Sequence, residues 1–379
     1  MQRPSFFKKI RRLILVEAVL VVALAFAIGV KKQSTHTNTV IGTHTVSVNM
    51  EDNSTGEDTG KESGGTETDS TEETIKWVDF TVSYEALCAA YGWDVDTHGT
   101  EHEVHWIELL AYTAAKTGGT FDKEALELLN ETANCVSEGE KDLEGLAKDL
   151  KYYPYYKKAY TAVLGGMVGE FEEEYIDENG KKAYRKRYGL KAYFPLAKGF
   201  DYSHFDDFGA GRSYGYQRKH LGHDMMGQTG TPIIAVESGV VEAIGWNQYG
   251  GWRVGIRSFD TNRYYYYAHL RQNFPYASGL EEGSVVTAGD VIGYLGHTGY
   301  STTENVNNID VPHLHWGLEL VFDEERRAEG YEIWIDIYPL TRFLAKHTQQ
   351  TEKVEGTKDW VRSTGMKDPE VERYKKDNS

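Results

Sequence analysis

The sequence predicts an α+β protein with an N-terminal transmembrane helix, an acidic disordered tether, a helical domain and a C-terminal all-β domain. Three observations lead to this prediction. An apolar run lies near the N-terminus, apolar residues recur at helical spacing in the middle of the chain, and short runs with period-two alternation and glycine turns begin near residue 188. A chain of 379 residues is long enough for two folded domains with additional segments.

The first 30 residues predict a membrane anchor. Residues 1–12 are basic, and we expect them on the cytoplasmic side. Residues 13–30 are apolar apart from Glu17, and about 18 helical residues can cross a hydrocarbon core. A cleavable signal peptide is the alternative, because residues 23–27 contain small residues at cleavage-site spacing. Both interpretations export the chain, and the anchor predicts a single-pass protein of the cell membrane with its C-terminal domains outside.

Residues 31–75 are rich in Thr, Ser, Gly, Glu and Asp and contain few large apolar side chains. Such a segment cannot bury enough apolar surface to offset the entropy lost on ordering. We therefore expect a flexible acidic linker that holds the folded part away from the membrane.

Residues 76–172 predict a domain of four or five helices. Apolar residues recur at helical spacing in three places, which are Val104 to Ala114, Leu126 to Leu129 behind an N-cap at Asp122, and Ala159, Val163 and Met167 within residues 155–171. No catalytic constellation is evident in this region.

Two features of the helical region are weak signals for other chemistry. His102 and His105 flank Glu103 and Val104, but their spacing is three, whereas the zinc motif HExxH requires four, so polar residues at a helix start are the better interpretation. Cys88 and Cys135 do not form a CxxC pair, and sequence leaves a disulfide or two separate thiols open.

Residues 188–345 predict the all-β domain, and residues 346–379 a charged tail that is disordered or loosely helical. The clearest predicted strands are Gly239–Ile244, Trp252–Arg257, Tyr264–His269 and Val291–Leu295. The net charge of −17 disfavours nucleic acid as a partner, because a phosphate backbone requires a cationic surface.

Two motifs in the β domain could hold a metal ion. His220 and Asp224 are four apart, and His313 and His315 are two apart behind Pro312. Side chains alternate along a strand, so each pair lies on one face. Gly222 would permit a close approach between the first pair.

His269 is the third element, because it ends a strand rich in tyrosine. Each element alone is a weak signal. Together they suffice for a zinc hydrolase, which uses three protein ligands and leaves a fourth position open.

Further motifs accompany these residues in a fixed order. They are Asp207-Phe208-Gly209 with Arg212, His220-x-Gly222-x-Asp224, Gly230-Thr231-Pro232-Ile233 with Ala235, Gly239-Val240-Val241, Tyr267-Ala268-His269-Leu270, Gly289 to Gly293, Gly296-x-Thr298-Gly299-x-Ser301 and Pro312-His313-Leu314-His315. With these motifs, residues 193–344 resemble the lysostaphin-type (LytM-like) zinc peptidoglycan endopeptidases.

The resemblance implies a role for each of the five residues. His220, Asp224 and His315 match the Zn²⁺ ligands, and His269 and His313 match two catalytic histidines that do not bind the metal. It also implies an antiparallel β domain with a groove for an extended peptide. The implied reaction is hydrolysis of an amide in peptidoglycan stem peptides or cross-bridges.

Several residues depart from the family pattern. His223 stands between the glycine and the aspartate of the first motif, and its parity predicts a position behind the ligands or on the surface. Residues 304–308 look like a polar loop inserted at the rim of the groove. Trp316-Gly317 puts the support of the last ligand in doubt. Tyr264–Tyr267 either line the groove or pack in the sheet.

Two functions fit these observations. The first is a membrane-tethered zinc metalloendopeptidase that remodels the cell wall, as the complete set of five residues indicates. The alternative is a catalytically weak or inactive scaffold or activator with envelope protein partners, for example in a sporulation complex, as the anchor and tether allow. The sequence does not identify the cleaved bond.

Overall fold

The computed structural model describes residues 75–213 and 217–378. The predictions of a cytoplasmic segment at 1–12, a transmembrane helix at 13–30 and a disordered linker lie outside the described residues, which begin at residue 75. Within the described ranges, no helix has the length and apolar character needed to cross a membrane.

Five helices occupy residues 84–164, as predicted. They are α1 Tyr84–Thr97, α2 Trp106–Thr117, α3 Lys123–Ser137, α4 Leu143–Ala147 and α5 Tyr153–Leu164. Asp122 caps α3, because its side chain accepts a hydrogen bond from the Ala125 amide. Helix α5 ends at Leu164, before the predicted end at Phe171, and Gly166 turns the chain there with a φ of +79°.

The weak signals in this region have structural explanations. His105 is the N-cap residue of α2, and both His98 and His105 lie within 4.0 Å of the Glu103 carboxylate. Cys88 and Cys135 are both free.

Beyond residue 164, the described part of the chain forms seventeen strands and three short helices. The strands are β1 Val168–Ile176, β2 Lys182–Leu190, β3 Tyr202–His204, β4 Gly211–Ser213, β5 Gln217–Lys219, β6 His223–Gly227, β7 Pro232–Ile234, β8 Gly239–Asn247, β9 Gly251–Ser258, β10 Arg263–Ala268, β11 Val285–Val286, β12 Val291–Tyr294, β13 His313–Leu320, β14 Ile333–Trp334, β15 Thr351–Lys353, β16 Trp360–Arg362 and β17 Met366–Lys367. The helices are α6 Glu324–Ala328, α7 Tyr338–Leu344 and α8 Pro369–Asp377. The four strands predicted most clearly are present as β8, β9, β10 and β12.

The main sheet is antiparallel and has the order β11-β8-β9-β10-β13-β6-β3, with β14 paired to β13. A second sheet has the order β17-β1-β2, and three strand pairs, β4–β5, β7–β12 and β15–β16, complete the fold. The β1–β2 hairpin was not predicted, although its turn contains Asn179-Gly180, a common hairpin signal.

Alternation along β10 gives the main sheet two different faces. Tyr265 and Tyr267 are fully buried, as is Trp316 on the neighbouring strand β13. Tyr264 and Tyr266 point to the opposite face together with His315. The tyrosine run therefore divides between the two predicted roles, since alternate residues pack in the core and line the groove.

Arg263 joins the helices to the sheet, which share one hydrophobic core. Its buried guanidinium donates to both carboxylate oxygens of Glu237, at 2.8 and 3.0 Å, and to Asp260 at 2.8 Å. It also donates to the Ala162 carbonyl oxygen at 2.9 Å, in the last turn of α5, where carbonyls lack helical partners. Residues 76–172 therefore do not pack as an independent unit.

The prediction of a disordered or loosely helical tail is wrong for residues 346–378, which form β15, β16, β17 and α8. Met366 and Val371 are buried, and β17 extends the β1–β2 sheet. The buried Asp368 carboxylate pairs with Lys191 at 3.0 Å and accepts from Ser238 at 2.7 Å. The prediction was based on the small number of apolar residues in this segment. It was wrong because an ion pair with a distant residue also helps to hold the segment in place.

Replacing Arg263 by Met tests the link between helices and sheet. The substitution leaves Glu237 buried without its cation, and removing one partner of a buried pair costs about 3–5 kcal/mol. We expect the free energy of unfolding, measured by urea titration, to fall by that amount. Arg185→Gln on the exposed β2 strand is the matched control, and we expect a loss of at most about 1 kcal/mol. Equal effects of the two substitutions would contradict the linking role.

His347 predicts a pH dependence of stability. Burial lowers the pKa of its imidazole, which donates to the Ala192 carbonyl oxygen at 2.8 Å and stacks on Tyr193. The unfolded chain, with a histidine pKa of about 6.5, then binds more protons than the folded chain in mild acid. The stability contribution is complete above about pH 6.5 and is lost as the pH falls below it.

We therefore expect the free energy of unfolding, measured by urea titration at each pH, to fall less between pH 7 and pH 5 in His347→Gln than in the wild type. His102→Gln removes an exposed histidine and serves as the control. An unchanged pH slope in His347→Gln would show that His347 does not couple protonation to folding.

Candidate metal centre and active site

Strand pairing brings three predicted ligands together. His315 on β13 lies directly opposite Asp224 on β6, and His220 lies three residues before the start of β6. The His220 Nε2 atom is 3.0 Å from Asp224 Oδ1 and 2.9 Å from His315 Nδ1, and the last two atoms are 2.9 Å apart. Among the described residues, this trio is the one group of His, Cys, Asp or Glu side chains arranged to hold a metal ion.

The hydrogen bonds behind the trio orient its donor atoms. The His220 Nδ1–H group donates to the Asp207 carbonyl oxygen at 3.0 Å, which leaves the Nε2 lone pair facing the trio. Asp224 Oδ2 accepts from Arg212 at 3.0 Å, which leaves Oδ1 facing the same point. His220 and Asp224 therefore each have a second contact that sets the orientation of the side chain.

The trio fits zinc. Ligand atoms about 2.0–2.1 Å from a tetrahedral zinc ion lie about 3.3 Å apart, so the three atoms have to separate by only a few tenths of an ångström. Two imidazoles and one carboxylate leave one coordination position open, which is the pattern of catalytic zinc sites. A cavity beside the trio is lined by residues that include the three ligands and His269.

Asp207 and Arg212 support the ligands electrostatically. Asp207 is buried, and its carboxylate pairs with Arg212 at 2.8 Å and lies 3.2 Å from His220 Nδ1. Burial opposes the charged form of His220, but hydrogen bonds to Asp207 and Asp224 outweigh it and raise its pKa to about 9. Burial also opposes ionisation of Asp224, yet hydrogen bonds with His220 and His315 hold its pKa well below the usual range. The site therefore attracts a cation.

The two predicted catalytic histidines lie beside the trio. His269 follows β10 with a φ of +63°, and its Nδ1–H group donates to the Thr298 carbonyl oxygen at 2.9 Å. Burial, followed by repulsion from His313 and His315, keeps its pKa well below the usual value. The His313 Nδ1–H group donates to the Val311 carbonyl oxygen at 2.8 Å, and its Nε2 is 3.8 Å from Asp224 Oδ1.

The rings of His269 and His313 are 4.7 Å apart between centroids. Each has its Nδ1 proton committed to a backbone carbonyl, so each presents Nε2 for proton exchange. The structure thus brings all five predicted site residues together and separates them into a trio and a pair.

The residues that departed from the family pattern have clear positions. His223 is buried behind the ligands, with Nε2 at 2.7 Å from His204 Nδ1 and Nδ1 at 3.4 Å from an Asp207 oxygen. Trp316 lies in the core, and a Cβ on Gly317 would be 2.8 Å from the Trp334 ring. Support for the metal ligands therefore comes from Asp207 and Arg212 rather than from the residues after His315.

The predicted inserted loop at residues 304–308 contributes to the rim of the groove through Tyr300. Asn305 accepts from the Trp252 indole at 2.9 Å, and the Asn308 side chain donates to the Tyr300 carbonyl oxygen at 2.6 Å. The cavity around the trio is lined by Tyr300, not by residues 304–308. The loop therefore contributes to the rim by holding Tyr300.

Sequence reasoning missed three residues that line this cavity, which are Arg218, Tyr249 and Tyr300. The position of Arg218, two residues before His220, was an available signal, because residues two apart in a strand share a face. Tyr249 and Tyr300 lie in loops, so no periodic pattern identified them.

Comparison with known proteins places this site in a recognised context. The profile of Peptidase family M23 matches residues 218–327. The L-Ala–D-Glu endopeptidase of Bacillus subtilis (strain 168) is 34% identical over 200 residues, which are 52% of this chain and 55% of that protein. Lysostaphin of Staphylococcus staphylolyticus is 36% identical over 98 residues, which are 26% of this chain and 18% of that protein.

The matched region is thus about half of the Bacillus protein and a smaller part of lysostaphin. Among solved structures, a crystal structure from Ruminococcus gnavus has a TM-score of 0.48 and 22% identity, and the alignment covers 73% of this chain and 92% of that one.

Gly222 allows the His315 ring to approach the first ligand motif. A Cβ at this position would lie 2.5 Å from His315 Cε1, so Gly222→Ala has to displace the imidazole. Disturbing the groups that orient metal ligands costs about 10–100-fold in metal affinity, and we expect a loss of this size in a zinc–chelator competition titration.

The matched control is Gly92→Ala in α1, where a Cβ would meet no atom within 4 Å. Thermal unfolding of both variants checks that the Gly222 protein is folded. Wild-type zinc affinity in Gly222→Ala would show that His315 does not depend on this close approach.

Proposed function

We propose that this protein is a zinc metalloendopeptidase that hydrolyses an amide bond in the peptide part of peptidoglycan, because residues 218–327 match the profile of Peptidase family M23. The observation that carries the proposal is the convergence of the trio His220, Asp224 and His315 with the pair His269 and His313 at one cavity. Because this set is complete, an inactive scaffold is not the function that the geometry favours.

His220, Asp224 and His315 would hold the zinc ion through Nε2, Oδ1 and Nδ1. Zinc in such a site supplies Lewis acidity towards a substrate carbonyl and lowers the pKa of water. The backbone carbonyl of Asp207 fixes the His220 tautomer, and Arg212 binds Asp224 Oδ2, which leaves Oδ1 free for the metal.

His313 and His269 handle the protons. His313 presents Nε2 at the mouth of the site and accepts the proton of the attacking water. His269 is neutral because of burial, so any proton that it receives is held weakly and is passed on readily. The leaving amine needs one proton, which is the number taken from water, so the pair returns to its starting state in each cycle.

The substrate class follows from the relatives. The Bacillus relative is an L-Ala–D-Glu endopeptidase, and it shares 34% identity over 200 residues with this chain. We take the stem peptide as the substrate and the amide between its first two residues as the first bond to test.

We further propose that the enzyme works outside the cell membrane, anchored by a single helix at residues 13–30. The support is the basic flank followed by an apolar run that is long enough to cross a bilayer. This position would place the metal centre next to the cell wall.

Two histidine substitutions test the assignment of roles. We expect His313→Ala to retain stoichiometric zinc but to lose cleavage by about 10²–10⁴-fold, because it removes a proton acceptor and no ligand. His315→Ala should lose both zinc and cleavage. The measurements are release of muropeptides from purified sacculi, with and without added zinc, and the metal content by mass spectrometry.

His102→Ala, at an exposed position in the helical region, is the control. If the wild-type protein carries one zinc ion and still releases no new amine ends from sacculi, the proposed enzymatic activity is ruled out. Wild-type cleavage by His313→Ala would show that its role is assigned wrongly.

A further inference from the structure

The cavity at the metal centre continues into a larger groove on the same face of the main sheet. Arg218, Tyr249, Tyr266 and His315 line both spaces. Beyond them the groove is lined by aromatic side chains, including Trp334, and by several charged side chains. A peptide whose amide reaches the metal centre therefore extends into this groove.

The strand register places Arg253 level with the metal ligands. Arg253 precedes Val254, which pairs with Tyr267, so it lies beside Ala268. Ala268 pairs with His315, and His315 pairs with Asp224. Neighbouring strands are about 4.8 Å apart, so the Arg253 Cα lies roughly 10 Å from that of His315. This distance equals about three residues of an extended peptide.

Arg253 has no anionic partner among residues 75–213 and 217–378. Its Nε is buried and makes no hydrogen bond, and none of the ion pairs of these residues includes its guanidinium. By contrast, Arg327 in the same groove pairs with both Glu319 and Glu242. A cation without a partner in a partly buried position is unfavourable unless a ligand or water satisfies it.

Arg218 adds a second cation close to the metal centre. Its Nη2 donates to the Tyr300 hydroxyl at 2.5 Å, and its guanidinium lies 5.7 Å from the Tyr249 ring and 5.3 Å from the Tyr300 ring. Its Nε is also buried without a partner. The two tyrosines hold the guanidinium in place without neutralising it.

The other charges in the groove do not cancel this pair. Lys219 adds a further positive charge, and Glu319 is paired with Arg327. Glu332 is the remaining acid, and it accepts a hydrogen bond from the Trp334 indole at 2.6 Å. The groove is thus cationic on a chain whose net charge is −17.

We propose that Arg253, assisted by Arg218, forms a subsite for a free carboxylate of the peptide substrate, two or three residues from the hydrolysed amide. This inference rests on the proposed function. A carboxylate fits because arginine binds it with two parallel hydrogen bonds. Continuity with the metal centre favours a carboxylate of the substrate itself over the phosphate groups of another wall polymer. Arg253 then determines specificity for acidic over amidated stem peptides.

Two synthetic peptides test the subsite. Both are L-Ala–γ-D-Glu–L-Lys–D-Ala with an amidated glutamyl α-carboxyl group, and they differ only at the C-terminal D-Ala, three residues beyond the hydrolysed amide, whose carboxylate is free in one and amidated in the other. We expect the full-length wild type to prefer the acid in kcat/KM by about 10–100-fold, the range for a charge-assisted hydrogen bond.

Arg253→Gln should bring the ratio of acid to amide close to one, and Arg253→Lys should give an intermediate ratio because it keeps the charge and loses the bidentate geometry. The matched control is Arg185→Gln, which removes the same charge from the exposed β2 strand and should keep the wild-type ratio. A ratio near one in the wild type, or a wild-type ratio in Arg253→Gln, would overturn the proposal.

Binding measurements separate a failure of the proposed subsite from a failure of the proposed activity. Dissociation constants of both peptides are measured by calorimetry with His313→Ala, alone and combined with Arg253→Gln. If the wild type cleaves neither peptide but His313→Ala prefers the acid and the double variant does not, the subsite stands and the proposed activity fails. Equal binding of both peptides overturns the subsite. A glycerol phosphate oligomer that competes for Arg253 while both peptides bind equally would assign the groove to a phosphate polymer instead.

Discussion

The pairing of β6 with β13 is the constraint on which the rest of the site depends. It sets His315 opposite Asp224 and holds three donor atoms within 3.0 Å of one another. Three such donors in a buried place are stable only if their other atoms are satisfied and a cation is attracted to them. Asp207 and Arg212 meet the first condition, since they bind His220 and Asp224 from behind. The pairing of β6 with β13 therefore determines both the local fold and the site.

The remaining parts of the protein keep that sheet in place. One face of β10 and β13 is packed into the core with the helices, and the other forms the groove. Arg263 ties α5 to the sheet, and Asp368 ties the C-terminal segment to Lys191 and Ser238. Buried charges with several partners make these connections, and such networks specify one arrangement when every member is satisfied.

Features that depend on neighbouring residues could be predicted from the sequence, and features that depend on distant pairing could not. The N-cap at Asp122 follows from local chemistry, and the shared face of His313 and His315 follows from strand alternation. The order of motifs led to the five residues that the structure brings together. Nothing local indicated that the buried Nε of Arg253 makes no hydrogen bond within residues 75–213 and 217–378, or that Asp368 pairs with Lys191 far away in the sequence. The prediction for the C-terminal segment, which used charge and composition alone, was therefore wrong.

Crystallographic anomalous scattering at the zinc edge, on zinc-loaded protein, tests the central claim most directly. We expect one strong peak about 2.0–2.2 Å from His220 Nε2, Asp224 Oδ1 and His315 Nδ1, with neither His269 nor His313 as a ligand. A peak bound by His269 or His313, or a peak at the His204–His223 pair in place of the trio, would contradict it.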